Sequence, residues 1–406
     1  MIVSKSYQWS EAGARLLSVI GILGLLATAT NASAQGMGST LQVHGFLSQA
    51  LVITDDNDFF GPSSESGGST QFTEVGVNFS VRPHEDILVA AQVLSRRAGG
   101  DGSEAQPELD YGVIDYQVFS NQKRNIGLQL GRFKNPFGFY NQTRDVAFTR
   151  PSILLPQSIY FDRTRTVGLA GDGATLYAEE RLSSGNIRAQ LGLGEAQLGE
   201  DVDRTLGFGD RSGSFDSESS LIAQLRYEHD AGRIISAISV GHAKADYESN
   251  DSNLNNGKLN FQPWVFSVQY NSENWSLTGE YAVRKTELYG FNEPRNFSST
   301  GNSWYLQYIH RLRRDWQWLV RYDSLISNRD DPSGKHFESS GAGPAHSQFA
   351  KDWTMGLQWQ PYPKVLISAE YHYINGTGWI PIQDNPDASN TSQYWNMFLA
   401  QFSVRF

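Results

Sequence analysis

Between Gly131 and Arg165, six basic side chains (Arg132, Lys134, Arg144, Arg150, Arg163 and Arg165) stand against two acidic ones, Asp145 and Asp162. The whole chain has a formal net charge of −10, so this excess of base is local. A guanidinium is always charged and grips carboxylate or phosphate through two parallel hydrogen bonds. Such a cluster supports recognition of anions. The stretch starts as a strand, in which Ile126, Leu128 and Leu130 alternate with Gly127, Gln129 and Gly131. It breaks at Asn135-Pro136, because proline removes a ladder donor and fixes φ, and strand pattern resumes at Thr166. An insertion of about thirty residues without periodicity is uncommon in a compact domain and is usually functional or disordered. This one is too aromatic and apolar for a disordered tether. Pro151 and Pro156 bracket Ser152-Ile153-Leu154-Leu155, an apolar patch suited to docking on a wall. The stretch reads as a loop folded into the bore of a β-barrel, where it narrows and charges a pore.

The elements that would position such a loop are strands. Period-2 alternation recurs throughout, and no stretch sustains a helical period. It is clear in Thr73-Val75-Val77-Phe79-Val81, Ile87-Val89-Ala91-Val93, Ile187-Ala189-Leu191-Leu193 and Leu221-Ala223-Leu225-Tyr227. Trp275 to Val283, Trp316 to Tyr322, Trp353 to Trp359 and Val365 to Tyr373 continue it. Weaker candidates at 41–53, 109–119, 125–134, 166–181, 233–247, 260–271 and 302–312, with the last strand at 393–406, bring the number to sixteen. Short connections alternate with long ones, the latter near 54–70, 97–108, 135–165, 195–219, 248–259, 288–301, 327–350 and 375–392. All long loops then lie at one end and both termini at the other, the layout of an outer-membrane barrel. The expected fold is all-β, a 16-stranded antiparallel transmembrane β-barrel with an inward-folded third loop. A soluble β-sandwich fits less well, since one face of most strands is nearly all apolar or aromatic. Trp275, Trp304, Trp316, Trp318, Trp353, Trp359 and Trp395 are placed on that face, where an amphipathic ring suits the membrane interface.

Lys5 and Arg15 precede an apolar run, Leu16 to Ala29, that ends in Ala32-Ser33-Ala34. A basic segment, a short apolar core and an A-x-A site describe a secretory leader, residues 1–34, followed by the barrel over 35–406. The run is short for a membrane helix and contains two glycines. Cysteine is absent, which removes thiol catalysis, disulfides and cysteine metal sites.

The strands' polar parity presents Glu74, Arg96, Asp115, Arg188, Arg226, Glu228, Glu280, Arg284, Arg321, Asp323 and Glu370 to the bore. Arg132 joins them only if the chain bends at Gly131. A charge facing lipid would cost about 2–4 kcal/mol near the midplane, so any barrel places its charges inward. With the loop, Arg188, Arg226, Arg284 and Arg321 complete a candidate constriction. Low-dielectric walls focus its field on passing ions. Asp115, Asp145, Asp162, Glu280 and Asp323 oppose it by pairing.

No G-x-S-x-G, H-E-x-x-H or P-loop is present, and the eight histidines are scattered. The reading is a non-enzymatic channel without cofactor or metal, and the acidic balance gives no nucleic-acid surface. Asp55-Asp56-Asp58 and Asp384/Asp387 lack EF-hand spacing and are expected to solvate external loops or bridge divalent ions to lipopolysaccharide. A barrel hydrolase and a structural or adhesive barrel are the alternatives. A plugged transporter would need 22 strands.

The chain ends with Phe398, Ala400, Phe402, Val404 and Phe406 on one parity. This terminal pattern resembles the signal read by the barrel-assembly machinery. With the GRFK-NPFG strand end at Gly131–Gly138, the chain resembles Gram-negative porins, above all the phosphate-selective porin superfamily and its DcaP-like relatives. The architectural likeness spans the mature chain, and the motif likeness is confined to the third loop. The resemblance implies a homotrimer of 16-stranded barrels passing small hydrophilic solutes through a setting of outer-membrane lipid and lipopolysaccharide. Phosphate-selective members are described by a cluster of pore lysines. This chain has nine lysines, with only Lys134 in the loop, and lacks the heptad segment that precedes the barrel in some relatives. Small organic anions such as dicarboxylates are therefore expected ahead of phosphate.

Overall fold

The computed structural model describes residues 41–100, 105–209, 213–292 and 295–406. The expected leader lies outside them. Sixteen antiparallel strands form one closed sheet. In chain order they are β1 Gln42–Thr54, β2 Ser69–His84, β3 Ile87–Ala98, β4 Glu108–Ser120, β5 Arg124–Lys134, β6 Ala170–Leu182 and β7 Gly185–Ala196. Next, β8 comprises Gly213–Ser217 and Ser219–His229, and is followed by β9 Ile234–Ser249, β10 Gly257–Asn271, β11 Trp275–Tyr289 and β12 Phe297–Arg311. The last four are β13 Trp316–Ile326, β14 Phe349–Tyr362, β15 Val365–Gly376 and β16 Tyr394–Arg405. Each strand pairs with its sequence neighbours, and β1 pairs with β16 to close the ring. Beyond the last strand, Phe406 extends the seam, donating its N–H to Gly45 and accepting the Gly45 N–H in return. Closure leaves no open sheet edge, which hydrocarbon could not satisfy.

The two pieces of β8 are one strand interrupted by a bulge. Ala245 opposes Ser217 and His242 opposes Leu221, so Glu218 is the extra residue on the β8 side. Sequence alternation fails at such a point, and 213–217 was accordingly expected to be loop. The expected strand from Thr166 also begins later. Arg165–Leu169 is a short helix, α1, and β6 starts at Ala170. The Asn135 and Asn141 side chains donate to the Gly168 carbonyl (3.2 and 2.8 Å), meeting an acceptor left free at the helix end.

Outward positions carry the apolar band, including Phe79, Ile114, Leu130, Leu193, Phe266 and Met355, all exposed. Seven tryptophans, 264, 275, 304, 316, 318, 353 and 359, lie on the outward parity of five consecutive strands, β10 to β14. Trp395 was expected among them but is buried inside, 1 % exposed, donating to the Gly376 carbonyl and packing on Trp379. Its parity partners Met397 and Leu399 are likewise buried, because the outward set of β16 is Phe398 and Phe402. The interior wall here is apolar, and hydrophobicity alone does not distinguish a lipid face from a loop-covered one.

That inner patch receives three loops. Phe59 and Phe60 from the loop after β1, Ile153 and Leu154 from the third long loop, and Trp379 and Ile380 from the loop after β15 form one cluster with Val52, Phe72 and Ile374. A second cluster caps the opposite loops through Phe208, Phe215, Tyr247 and Phe291.

Candidate functional site

The third long loop, residues 135–169, crosses the bore and is tied to walls on several sides. Its first turn needs Gly138, whose φ is +59° and whose absent Cβ leaves room for the Tyr160 hydroxyl and Glu280. Gly138 donates to Ser239 Oγ of β9 (3.1 Å), and its carbonyl accepts from Gln224 of β8 (2.9 Å). Glu280 of β11 accepts the Phe139 N–H (2.9 Å) and the Tyr160, Tyr305 and Ser267 hydroxyls (2.6, 2.8 and 2.5 Å). Farther on, Glu370 of β15 accepts from the Ile153 and Leu154 amides, and Asp323 of β13 accepts from Ser158 (3.2 Å). Arg321 donates to Ser152 Oγ (3.0 Å) and the Leu154 carbonyl (3.1 Å). Arg284 donates to the Ser158 carbonyl (2.6 Å) and to Ser303 Oγ. A loop without a ladder of its own has unmet backbone donors and acceptors, and these wall side chains meet them.

On the other side the loop enters a buried network of charge. Arg150 forms a bidentate pair with Glu74 of β2 (2.7 and 3.2 Å), and Glu74 also takes Arg96 Nε (3.3 Å). Arg96 continues to Asp162 (2.6 Å), which has Arg144 at 3.8 Å and Arg165 at 3.9 Å. Asp145 bridges Arg165 and Lys134, and Lys134 also reaches Asp110, which Gln92 supports at 2.7 Å. The loop thus brings Lys134, Arg144, Asp145, Arg150, Asp162 and Arg165 together as ion pairs.

The remaining candidates lie elsewhere. Arg132 forks onto Asp172 (2.7 and 2.8 Å) and donates to the Leu109 carbonyl (2.9 Å). By alternation it shares the parity of Leu130, but past the bend at Gly131 (φ +120°) it borders the same cavity as Arg96, Asp162 and Arg165. Arg163 donates to the Gly378 carbonyl (3.3 Å). Arg226 pairs with Glu228 (2.8 Å) and lies over the Phe139 ring (5.6 Å). Arg188 stands over Tyr177 (5.8 Å). Among the described residues, Arg163, Arg188, Arg284 and Arg321 have no carboxylate within 4.0 Å. Alternation did not reveal Asp110, because it occupies a bulge where Tyr111 opposes Gln92 and Leu109 opposes Val93. Nor did it reveal Phe59, Phe60 or Trp379, which sit in loops without a period.

A vestibule of about 660 Å³ lies outside the network, bordered by Phe60, Arg96, Asp162, Arg165, Arg204 and Gln383. At its rim, Asp201 accepts from the Thr166 N–H (3.0 Å), and burial raises this carboxyl above its ordinary range. The external acidic groups are used within the loops. Asp58 accepts from Ser64 (2.9 Å), Asp384 from Gly100 (3.1 Å) and Asp387 from Ser389 (2.9 Å).

A closed barrel with a loop laced through its bore is the fold of bacterial outer-membrane porins. It resembles an anion-selective porin from Comamonas acidovorans with a TM-score of 0.58 at 10 % identity, covering 91 % of this chain and 100 % of that one. It resembles the outer-membrane channel DcaP of Acinetobacter baumannii with a TM-score of 0.53 at 10 % identity, covering 90 % and 98 %. It also resembles the outer-membrane protein OmpT of Vibrio cholerae with a TM-score of 0.55 at 10 % identity, covering 92 % and 99 %. At such identity the likeness is one of fold. No protein-family model matches the sequence, and no curated protein is detectably similar.

Proposed function

We propose that the protein is an outer-membrane porin, a water-filled diffusion channel for small hydrophilic solutes with a modest preference for anions. Small organic anions such as dicarboxylates rank ahead of phosphate. The observation that carries the preference is the state of the unpaired charges. Arg163, Arg188 and Arg284 are half-buried cations without a carboxylate partner among the described residues, whereas Glu280 and Asp323 are buried and turned to loop amides and hydroxyls, and Glu370 is buried between two loop amides and His372 (3.4 Å). A carboxylate engaged this way offers little to a passing cation. Asp115, half-buried between Gln129 and Tyr177, tempers the excess. Reversal potentials in a KCl gradient should show chloride selectivity, and Arg188→Gln with Arg284→Gln should weaken it. Cation selectivity in the unaltered protein would refute the preference. Arg150 and Arg165 are poor targets, being held by Glu74 and Asp145.

The same reading implies export behind a leader cleaved after Ala34, assembly by the barrel-assembly machinery, and contact with outer-membrane lipid and lipopolysaccharide. The intact mass of the membrane form should begin at Gln35, and retention of residues 1–34 would refute cleavage. The one-sided tryptophan set supports a homotrimer. All seven outward tryptophans, rings that prefer the membrane interface, lie on β10 to β14, whereas β2 to β7 carry no tryptophan and expose aliphatic side chains such as Val93, Leu176 and Leu191 beside Phe79, Tyr116 and Phe119, a face suited to burial against further copies.

A further inference from the structure

An apolar cavity lies between the third loop and the wall built from β6 to β11. On the loop side it is faced by Phe133 at the end of β5, Phe137 and Phe161. The wall side is bare of a side chain at Gly241 of β9, with Ile222 of β8 on one flank and Phe261 and Pro263 of β10 on the other. At Gly192 of β7 the wall is already covered, since the Phe133 ring packs onto it and a Cβ there would meet that ring at 2.7 Å and Ile222 at 2.9 Å. Past Phe133, the loop rings Phe137 and Phe161 on one side and the wall at Gly241 and Ala243 on the other make a flat slot. Three cations border it, Arg144, Arg165 and Arg284. Arg165 is committed to Asp145, and Arg144 faces Asp162. Arg284 has no carboxylate partner among the described residues, and its guanidinium lies 4.4 Å over the Phe161 ring. Glu195 borders the slot but shares the outward parity of Leu191 and Leu193, both exposed.

We propose that this slot is a solute subsite for an aromatic monocarboxylate. The ring lies between Phe137 and Phe161 of the loop and the wall at Gly241 and Ala243, and the carboxylate pairs with Arg284. The slot favours a flat apolar body because aromatic pairs gain from stacked or edge contacts. It favours a single anionic end because one guanidinium is uncompensated there. The proposal rests on the porin reading and adds the solute class at one place in the passage.

The test is block of KCl current through the full protein in planar bilayers by benzoate, acetate, hexanoate and benzylammonium. Benzoate should block at concentrations about tenfold or more below acetate, as expected from burying a ring, and benzylammonium should not block. Arg284→Gln should bring the benzoate-to-acetate ratio towards one. Because Arg284 also holds the loop, Ala243→Leu, which fills the slot from the wall, should do the same without touching that contact. Equal block by benzoate and acetate in a conducting channel overturns the subsite while leaving the porin reading intact. Equal block by hexanoate and benzoate overturns the aromatic class. Absence of KCl conductance overturns the porin reading itself.

Discussion

Deleting residues 143–160 should raise single-channel conductance about twofold or more. A barrel of 16 strands encloses an aqueous channel unless something fills it, and here the loop fills it. The deleted segment contributes Ile153 and Leu154 to the inner apolar cluster, and Leu155, Ile159 and Tyr160 to the patch on Val265, Ala282 and Tyr305. Its removal strips Glu74 of Arg150 but not of Arg96, Glu370 of the Ile153 and Leu154 amides, and Asp323 of Ser158, and the widened bore hydrates these carboxylates. The ladder from β1 round to β16 contains none of the deleted residues, so closure of the barrel survives. Unchanged conductance in the shortened protein would show that the constriction lies elsewhere.

The second large effect is expected at the Arg150–Glu74 pair. Glu74 is 0 % exposed, and its two partners are Arg150 at 2.7 Å and Arg96 at 3.3 Å. Arg150→Ala leaves a buried carboxylate with half its compensation. Breaking a buried pair by removing one partner costs about 3–5 kcal/mol. That loss should appear as faster hydrogen exchange across residues 150–155 and as a noisier open channel, with far-ultraviolet circular dichroism unchanged. Because the pair is shielded from solvent, raising salt should do little to mimic the substitution. Adding Glu74→Gln should recover most of the loss, since the stranded charge is then gone. If the double variant is as loose as the sum of the two single ones, the pair does not act as a unit and the loop is held by its apolar patch.

Strand number, the order of long and short connections, and the inward course of the third loop were all legible in the sequence. Each follows from a local rule. A half-buried strand alternates with period two, and a proline after a strand end breaks the ladder. Glu74, Glu280, Arg321, Asp323 and Glu370 were placed in the bore on parity alone, and all five are buried there. Alternation is lost where the period slips. Glu218 bulges in β8, Asp110 bulges in β4, and α1 occupies what looked like the start of β6.

Parity also left open what lies against a face. The apolar side of a strand is the same to a lipid chain and to a loop phenylalanine, so Trp395 was set with the membrane-facing rings although Trp379 covers it inside. Charge raised the same difficulty. Sequence established which basic groups the loop and wall carry, because residue type and strand parity are local properties. Which of them stay free is a matter of separations of a few ångströms between segments far apart in the chain. Arg150 and Glu74 are 76 residues apart and meet at 2.7 Å, whereas Arg284 finds a carbonyl and a hydroxyl but no carboxylate. Coulomb attraction falls with distance and depends on local burial, so only the folded loop decides which cations remain to greet a solute.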